Sequence, residues 1–385
     1  MPVNDAIAAR AADLVAWRRD LHAHPETAFE EHRTAETVGR LLESWGYSVH
    51  RGLAGTGVVG TLTTGEGPSI GLRADMDALP IQEAGKVSHR STYEGRMHAC
   101  GHDGHVAMLL GAARHLAEAR SFRGTVRVIF QPAEENEGGG RVMVEQGLFE
   151  RFPVDAVYGL HNWPGLEVGR FAVRAGTMMA AFDVFEITVE GRGCHGAMPH
   201  LGTDAVVAAA QMVLALQTVV SRATDPLDAA VVSVTRIQGG DTWNVIPGQV
   251  VLAGSARSLR PEVREEVESG LRRVVAGVAA AHGVEARVRY ERRYPPTVNT
   301  GPEASLAAAA ARDVLGEGAV DEGLKASMGA EDFACMLEAR PGAYAWLGAG
   351  VGGSPLHSPR YDFNDDILVA GASWWVRLVQ RACGA

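Results

Sequence analysis

Met97-His98-Ala99-Cys100-Gly101-His102-Asp103-Gly104-His105 places three histidines, a cysteine and an aspartate within nine residues. Cysteine and histidine are the ligands zinc-like ions prefer, while aspartate and glutamate suit harder ions. Cys100 and His102 stand two apart beside two glycines, so both side chains face one ion only if the backbone there is a loop or turn. Val106, Leu109, Leu110, Ala113 and Leu116 recur at helical spacing and predict a helix over about 104–119, with Asp103 as its N-cap. A helix N-terminus favours a thiolate just ahead of it. Taken alone, the stretch also suits a polar turn that only caps a helix.

On either side of this loop the texture alternates. Upstream, two helices over about 7–21 and 30–45 lead to short strands at 58–62 and 69–73, the second running into Asp75 and Asp77. Downstream, 125–130 is apolar except for Arg127, as in a strand covered on both faces, and runs into Gln131-Pro132-Ala133-Glu134-Glu135. A helix near 139–146 and a strand at 156–160 follow, then His161-Asn162-Trp163-Pro164. Such alternation predicts a largely parallel α/β sheet.

Near residue 180 the pattern changes. Phe182 to Val189 alternate as in a half-exposed strand. An apolar helix at 205–221, strands at 231–238 and 249–257, a helix at 261–282 and a strand at 285–292 complete the order β-α-β-β-α-β, the ferredoxin-like arrangement. The α/β texture resumes with a helix at 303–315 and a strand at 343–347, ahead of a Gly-rich loop holding Leu356-His357-Ser358-Pro359. The expected organisation is a catalytic domain of residues 1–179 and 297–385, with an inserted domain of residues 180–296.

Composition narrows the function classes. With 46% hydrophobic and 21% charged residues, the chain has core enough for globular domains. A net charge of −10 argues against nucleic acid or an anionic membrane as the main partner, because both need a basic face. Met1 to Arg18 lacks the continuous apolar run of a signal peptide, and the greasy stretch 205–220 is interrupted by Gln211 and Gln217, as in a buried helix. Four widely spaced cysteines, Cys100, Cys194, Cys335 and Cys383, suit a reduced, cytoplasmic setting better than a disulfide framework.

Placement then ties the candidates together. In open α/β sheets, sites form at the carboxyl ends of strands. Asp75 and Asp77, Glu134 and Glu135, His161 and His357 all fall there, and Cys100 and His102 open the intervening helix. Each alone is as readily a structural histidine or a solvated acid. Together they outnumber the ligands of one tetrahedral ion, so two ions about 3.5–4 Å apart are the natural inference. Adjacent carboxylates at a strand end point in different directions, which lets one of Glu134 and Glu135 bind metal while the other handles protons.

These residues resemble the M20 metallopeptidase family, in its aminoacylase-like branch of hippurate hydrolases, N-acyl-amino-acid amidohydrolases and auxin-conjugate hydrolases. The similarity begins at Arg18-Arg19-Asp20-Leu21-His22-Ala23-His24-Pro25-Glu26 and continues through Arg73 to Pro80, the His98–His105 run, Gln131 to Glu135 and His161-Asn162. It extends over Gly193-Cys194-His195-Gly196, Asn244-Val245-Ile246-Pro247, Gly329-Ala330-Glu331-Asp332-Phe333 and His357. The resemblance implies a zinc-peptidase-like catalytic domain with a mostly parallel sheet, and a ferredoxin-like α+β insert acting as lid and homodimer contact. It implies that Cys100, His102, Glu135, His161 and His357 hold two divalent ions, with Cys100 bridging and Glu134 as general base. The wider family usually has a His-x-Asp pair where this chain has Asp75-Met76-Asp77, so Asp75 and Asp77 are expected to orient histidine ligands rather than bind metal.

The expected reaction is metal-dependent hydrolysis of the amide bond of N-acyl amino acids, hippurate-like or N-acetylated. By the same resemblance, His195 would donate to the oxyanion from the lid. Asn244, after a lid strand, would hydrogen-bond the substrate, and Arg257 would pair with its carboxylate through a guanidinium fork, although a surface cation reads equally well. Cys194 beside His195 is not read as a nucleophile–base pair, because adjacent residues rarely face each other. A dipeptidase or a deacetylase of N-acetylated diamino acids would carry much the same ligands, and an inactive metal-stabilised binding protein is the alternative outside enzymes. Zinc, cobalt, nickel and manganese all remain open.

Overall fold

The computed structural model describes residues 5–384, so the first four residues of the expected signal-free segment lie outside the described residues. The chain divides into two compact units. One holds residues up to Met178, Val298–Lys325 and the chain from Asp332 onward; the other holds Met179–Thr297 and Ala326–Glu331.

The first unit is built on an eight-stranded sheet. Its order is Ser48–Leu53, Gly57–Thr63, Thr125–Gln131, Ser69–Asp75, Ala156–Pro164, Gly342–Gly350, Phe171–Ala172 and Val320–Asp321. The four central strands run parallel, with register Asp75↔Gln131, Leu72↔Tyr158 and Trp346↔His161. Their carboxyl ends therefore lie along one rim. The sequence shows why these strands sit centrally: Thr125–Gln131 and Ala156–Pro164 carry apolar residues on both faces and are buried almost throughout. Helices Ala11–Ala23, His102–Ala119, Gly301–Leu315 and Leu368–Cys383 bring Leu14, Val106, Leu109, Leu110, Trp374 and Trp375 into the core, all buried. Each such side chain stabilises the fold by about 1.5–3 kcal/mol relative to exposure.

The expected start of the central helix is corrected. The helix begins at His102, and its N-cap is Gly101 in a left-handed conformation at φ +96. Asp103 lies inside the first turn, fully buried, and pairs with the Arg18 guanidinium (2.9 Å) and His22 (2.8 Å). A buried cation outcompetes the cap role for this carboxylate.

The second unit is a four-stranded antiparallel sheet, ordered Ala230–Gln238, Gln249–Ser258, Ala181–Glu190 and Glu285–Tyr294. Ala205–Thr218 and Pro261–His282 supply the two helices, giving β-α-β-β-α-β along the chain. Ala181–Glu190 alternates strictly between buried and half-buried, as a strand with one covered face must. Ala205–Ala223, which continues into a π turn, is long and apolar enough to cross a membrane by length and composition. Only one face is buried, through Ala205, Ala208, Ala209, Met212, Leu216 and Val219, packed in the core of this unit. The expectation of a buried helix holds for that face only: Val206, Val207 and Leu214 are exposed.

Candidate metal centre

Cys100, in the loop, and His102, the first residue of the helix, are positioned by close packing against Gly101 and Gly104. A Cβ on Gly101 would stand 2.2 Å from the Asn162 Oδ1, and one on Gly104 would stand 2.2 Å from the Phe363 ring. Close packing of Asn162, Tyr361 and Phe363 against bare backbone fixes the loop. Tyr361 completes it by accepting a hydrogen bond from Asn162 Nδ2 at 2.7 Å.

Backbone and carboxylate acceptors settle the tautomers of the histidines. His161 donates from Nδ1 to the Asn162 carbonyl (2.6 Å), which leaves Nε2 free, 3.4 Å from the Cys100 sulfur. His102 donates from Nδ1 to the Asp77 carbonyl (2.9 Å), leaving Nε2 buried with no hydrogen-bond partner among the described residues. Asp77 also accepts from the Glu135 backbone N–H at 2.9 Å, so one carboxylate orients two candidate ligands. His105 differs: Asp75 holds its Nδ1 at 2.6 Å and Asn162 engages its Nε2, so neither nitrogen is free for an ion.

The remaining groups converge from loops. His357, exposed and at φ +64, donates its backbone N–H to Ala99, and its Nε2 stands 3.1 Å from Glu135 Oε1. Apart from this ion-pair contact, that Glu135 oxygen is buried with no hydrogen-bond partner among the described residues. Ligand atoms of Cys100, His102 and His161 lie within 4.8 Å of one another. So do those of Cys100, Glu135 and His357, and those of His102, Glu134 and Glu135. All five sequence-predicted ligands are thus brought together, with Cys100, His102 and Glu135 each common to two of these groups and Glu134 in one.

The donor set fits divalent cations. Two buried atoms of the cluster, His102 Nε2 and Glu135 Oε1, have no hydrogen-bond partner among the described residues. Burial, reinforced by Glu135 and Glu134, holds the Cys100 thiol well above its ordinary pKa. Burial lowers His102, but Asp75, Asp77 and Glu135 outweigh it and push the imidazole up to about 10. Burial, then His105, drives His161 well below the ordinary range. A field that keeps a thiol protonated and an imidazole charged is one that an added cation relieves.

A buried platform supports the rim. Arg73 donates to Asp75 (2.7 Å), Gln131 (2.8 Å) and Asp332 (3.0 Å), and Asp332 accepts from the Gly140 N–H at 2.7 Å. Asp332, within one of the family-like runs, is thus a tie between strand ends and the acidic turn. Arg18 and Glu31, both fully buried, were not singled out. Each stands in a pair of like charges, Arg18-Arg19 and Glu30-Glu31, that reads as a solvated helix face.

The second unit holds the other candidates. His195 and Asn244 flank a two-stranded ribbon in which Val245 pairs with His195 and Ile246 with Cys194. Both His195 and Asn244 are exposed. His195 Nδ1 accepts from the Ala197 N–H at 3.0 Å, so in the neutral ring Nε2 carries the proton and is a donor. Cys194 and His195 alternate along a strand and point to opposite faces, which excludes a Cys–His pair. Arg257 is half-buried, with its guanidinium 4.0 Å from the centre of the Phe182 ring, and its side chain forms no hydrogen bond or salt bridge among the described residues. Neighbouring Asp183 is instead taken by Arg264 (3.0 Å) and the Tyr290 hydroxyl (2.8 Å).

Residues 71–381 match the model of peptidase family M20/M25/M40. The chain is 39% identical over 365 residues to a hippurate hydrolase of Campylobacter jejuni, covering 94% of this chain and 95% of that protein. It is 40% identical over 368 residues to an N-acetylcysteine deacetylase of Bacillus subtilis, covering 95% of each. Among solved structures it is similar to a Bacillus subtilis protein described as a dinuclear metal-binding peptidase. There the TM-score is 0.84 and the identity 36%, over 98% of both chains.

Proposed function

Because the chain belongs to peptidase family M20/M25/M40, we propose that it hydrolyses the amide bond of N-acyl amino acids, N-benzoyl or N-acetyl, with Glu134 as general base. The observation that carries this reading is the convergence of Cys100, His102, Glu135, His161 and His357 around a neighbouring second carboxylate, Glu134. Those five side chains would hold two divalent ions, whether zinc, manganese, cobalt or nickel, with Cys100 shared between them. The ions supply Lewis acidity and make water a nucleophile near neutral pH. Glu134 takes the proton of the attacking water and delivers it to the departing amine nitrogen, a transfer that an amide side chain cannot perform. The Asp77 carbonyl accepts from His102 Nδ1, so Nε2 is the nitrogen that would face a bound ion. His195 donates from Nε2 to the oxyanion of the tetrahedral intermediate. Asn244 hydrogen-bonds the substrate, and Arg257 forks onto its carboxylate.

Residues 1–179 and 297–385 act as the catalytic domain in this reading, and residues 180–296 as lid and dimer contact. Support for a homodimer comes from the second unit's surface. Val207 (52% exposed), Leu214 (67%), Ile237 (63%) and Trp243 (99%) are apolar, and Ala230–Gln238 is an edge strand. Unpaired Cys100, Cys194, Cys335 and Cys383 support a cytoplasmic setting. The test is hydrolysis of acetyl, benzoyl and indole-acetyl amino acids by the wild type and Glu134→Gln. Cleavage by the wild type alone, with equal metal content in both proteins, is expected. Retention of full activity in Glu134→Gln would overturn the assignment of the base.

A further inference from the structure

Glu31 is fully buried, yet no cation pairs with it among the described residues. Its carboxylate is instead committed to three donors. Oε1 accepts from the backbone N–H of Ala133 (2.9 Å) and of Phe29 (3.0 Å), and Oε2 accepts from the Thr56 hydroxyl (2.5 Å). It thereby ties three segments: the start of helix His32–Ser44, the turn before strand Gly57–Thr63, and the acidic turn after strand Thr125–Gln131.

The contact to Ala133 matters because of its backbone. Ala133 holds φ +54, a left-handed conformation that a Cβ disfavours, and Asn136 holds φ +68. Between them stand Glu134 and Glu135. The turn closes through Gly139 N–H to the Ala133 carbonyl at 2.9 Å. Without an acceptor for its N–H, Ala133 would relax toward the ordinary region and rotate the two following side chains out of the cluster. Strained backbone persists only where the surroundings over-determine it.

We propose that Glu31 is a positioning residue: its carboxylate clamps Ala133 in the left-handed conformation and so sets where Glu134 and Glu135 stand. This rests on the reading of Glu134 as base and Glu135 as metal ligand. A role in stability alone would lower the melting temperature without moving metal retention or kcat at a temperature where the protein is folded.

The test compares wild type, Glu31→Gln, Glu31→Ala, Ala133→Gly, and Glu31→Ala combined with Ala133→Gly, each loaded with zinc. Bound zinc is measured after timed exposure to a chelator, alongside kcat and KM on N-benzoylglycine. Glu31→Gln keeps an acceptor oxygen for Ala133 and is expected to stay within about threefold of wild type in both readouts. Glu31→Ala is expected to lose zinc faster and to lower kcat by about tenfold or more, with KM little changed, because misplacement by a fraction of an ångström carries that effect. Ala133→Gly, measured against its own single variant, is expected to recover part of that loss, since glycine adopts positive φ freely. If Glu31→Ala fails to fold, Thr56→Val removes one donor from Oε2 and is expected to move both readouts in the same direction. Wild-type zinc retention and kcat in folded Glu31→Ala, or in Thr56→Val where only that variant folds, would overturn the proposal. So would a loss that Ala133→Gly leaves untouched. If the wild type held zinc but cleaved no N-acyl amino acid, the proposed reaction would fall, and zinc retention would still decide the role of Glu31.

Discussion

Arg257 offers the sharpest reading of substrate class. Its guanidinium is half-buried on the Phe182 ring and has no hydrogen-bonded anion among the described residues. Burial lowers its pKa and Asp183 opposes this, but a guanidinium stays charged at neutral pH. A partly desolvated cation without a partner gains from an anion that reaches it. In Arg257→Met the stem still packs on Phe182 and the fork is lost. A charge-assisted hydrogen bond contributes about 1.5–3 kcal/mol, so kcat/KM for a free-acid substrate should fall roughly ten- to 150-fold. The assay compares N-benzoylglycine with N-benzoylglycinamide, which lacks the carboxylate. Wild type is expected to prefer the acid strongly, and Arg257→Met to lose most of that preference while its activity on the amide changes little. Arg257→Lys should recover only part, because an ammonium is a point charge and not a fork. An acid-to-amide ratio equal in wild type and Arg257→Met would refute the reasoning.

Other consequences follow from single contacts. Cys100→Ala removes one of the side chains shared between ligand clusters, so bound metal per chain should fall below the wild-type value by elemental analysis; unchanged content would exclude Cys100 as a ligand. Asp183→Asn leaves the half-buried Arg264 guanidinium without its anion, a change costing on the order of 3 kcal/mol, and the melting temperature should drop by several degrees. An unchanged melting temperature would remove Asp183 from the account of the second unit's stability. Burial pushes the Glu31 carboxyl up to about 7, although Thr56 and the Ala133 N–H oppose this. Its folded pKa exceeds the unfolded one, so the stability it contributes is complete below about pH 4.5 and is lost as pH rises through about 7. That loss is on the order of 3 kcal/mol. Calorimetry of wild type against Glu31→Gln should show the wild type falling behind across this window, and a pH-independent difference would contradict it.

The strand ends were legible because burial leaves a local signature. Thr125 to Phe130 and Phe182 to Val189 differ in texture since one strand is covered on both faces and the other on one. Metal-ligand candidates were legible because cysteine, histidine and paired glutamates cluster directly after such strands. The supporting charges were not, and the reason is distance along the chain. Arg18 is buried only because Asp103 and Asp362 meet it from remote segments, and Glu31 only because Thr56 and Ala133 do. Asp103 failed as a cap for the same reason, since a buried guanidinium binds it more strongly than a helix end would. The helix at Ala205–Thr218 carries apolar residues around its whole circumference, and hydrophobicity alone did not tell the face packed on the sheet from the face left exposed.

The most direct test of the central claim is metal reconstitution. The protein is stripped with a chelator, returned to zinc, manganese, cobalt or nickel, and followed for metal per chain and for cleavage of N-benzoylglycine. The account predicts no cleavage when stripped, two ions per chain on return, and cleavage restored with them. Cleavage that survives complete removal of metal, or saturation at a single ion with full activity, would contradict it.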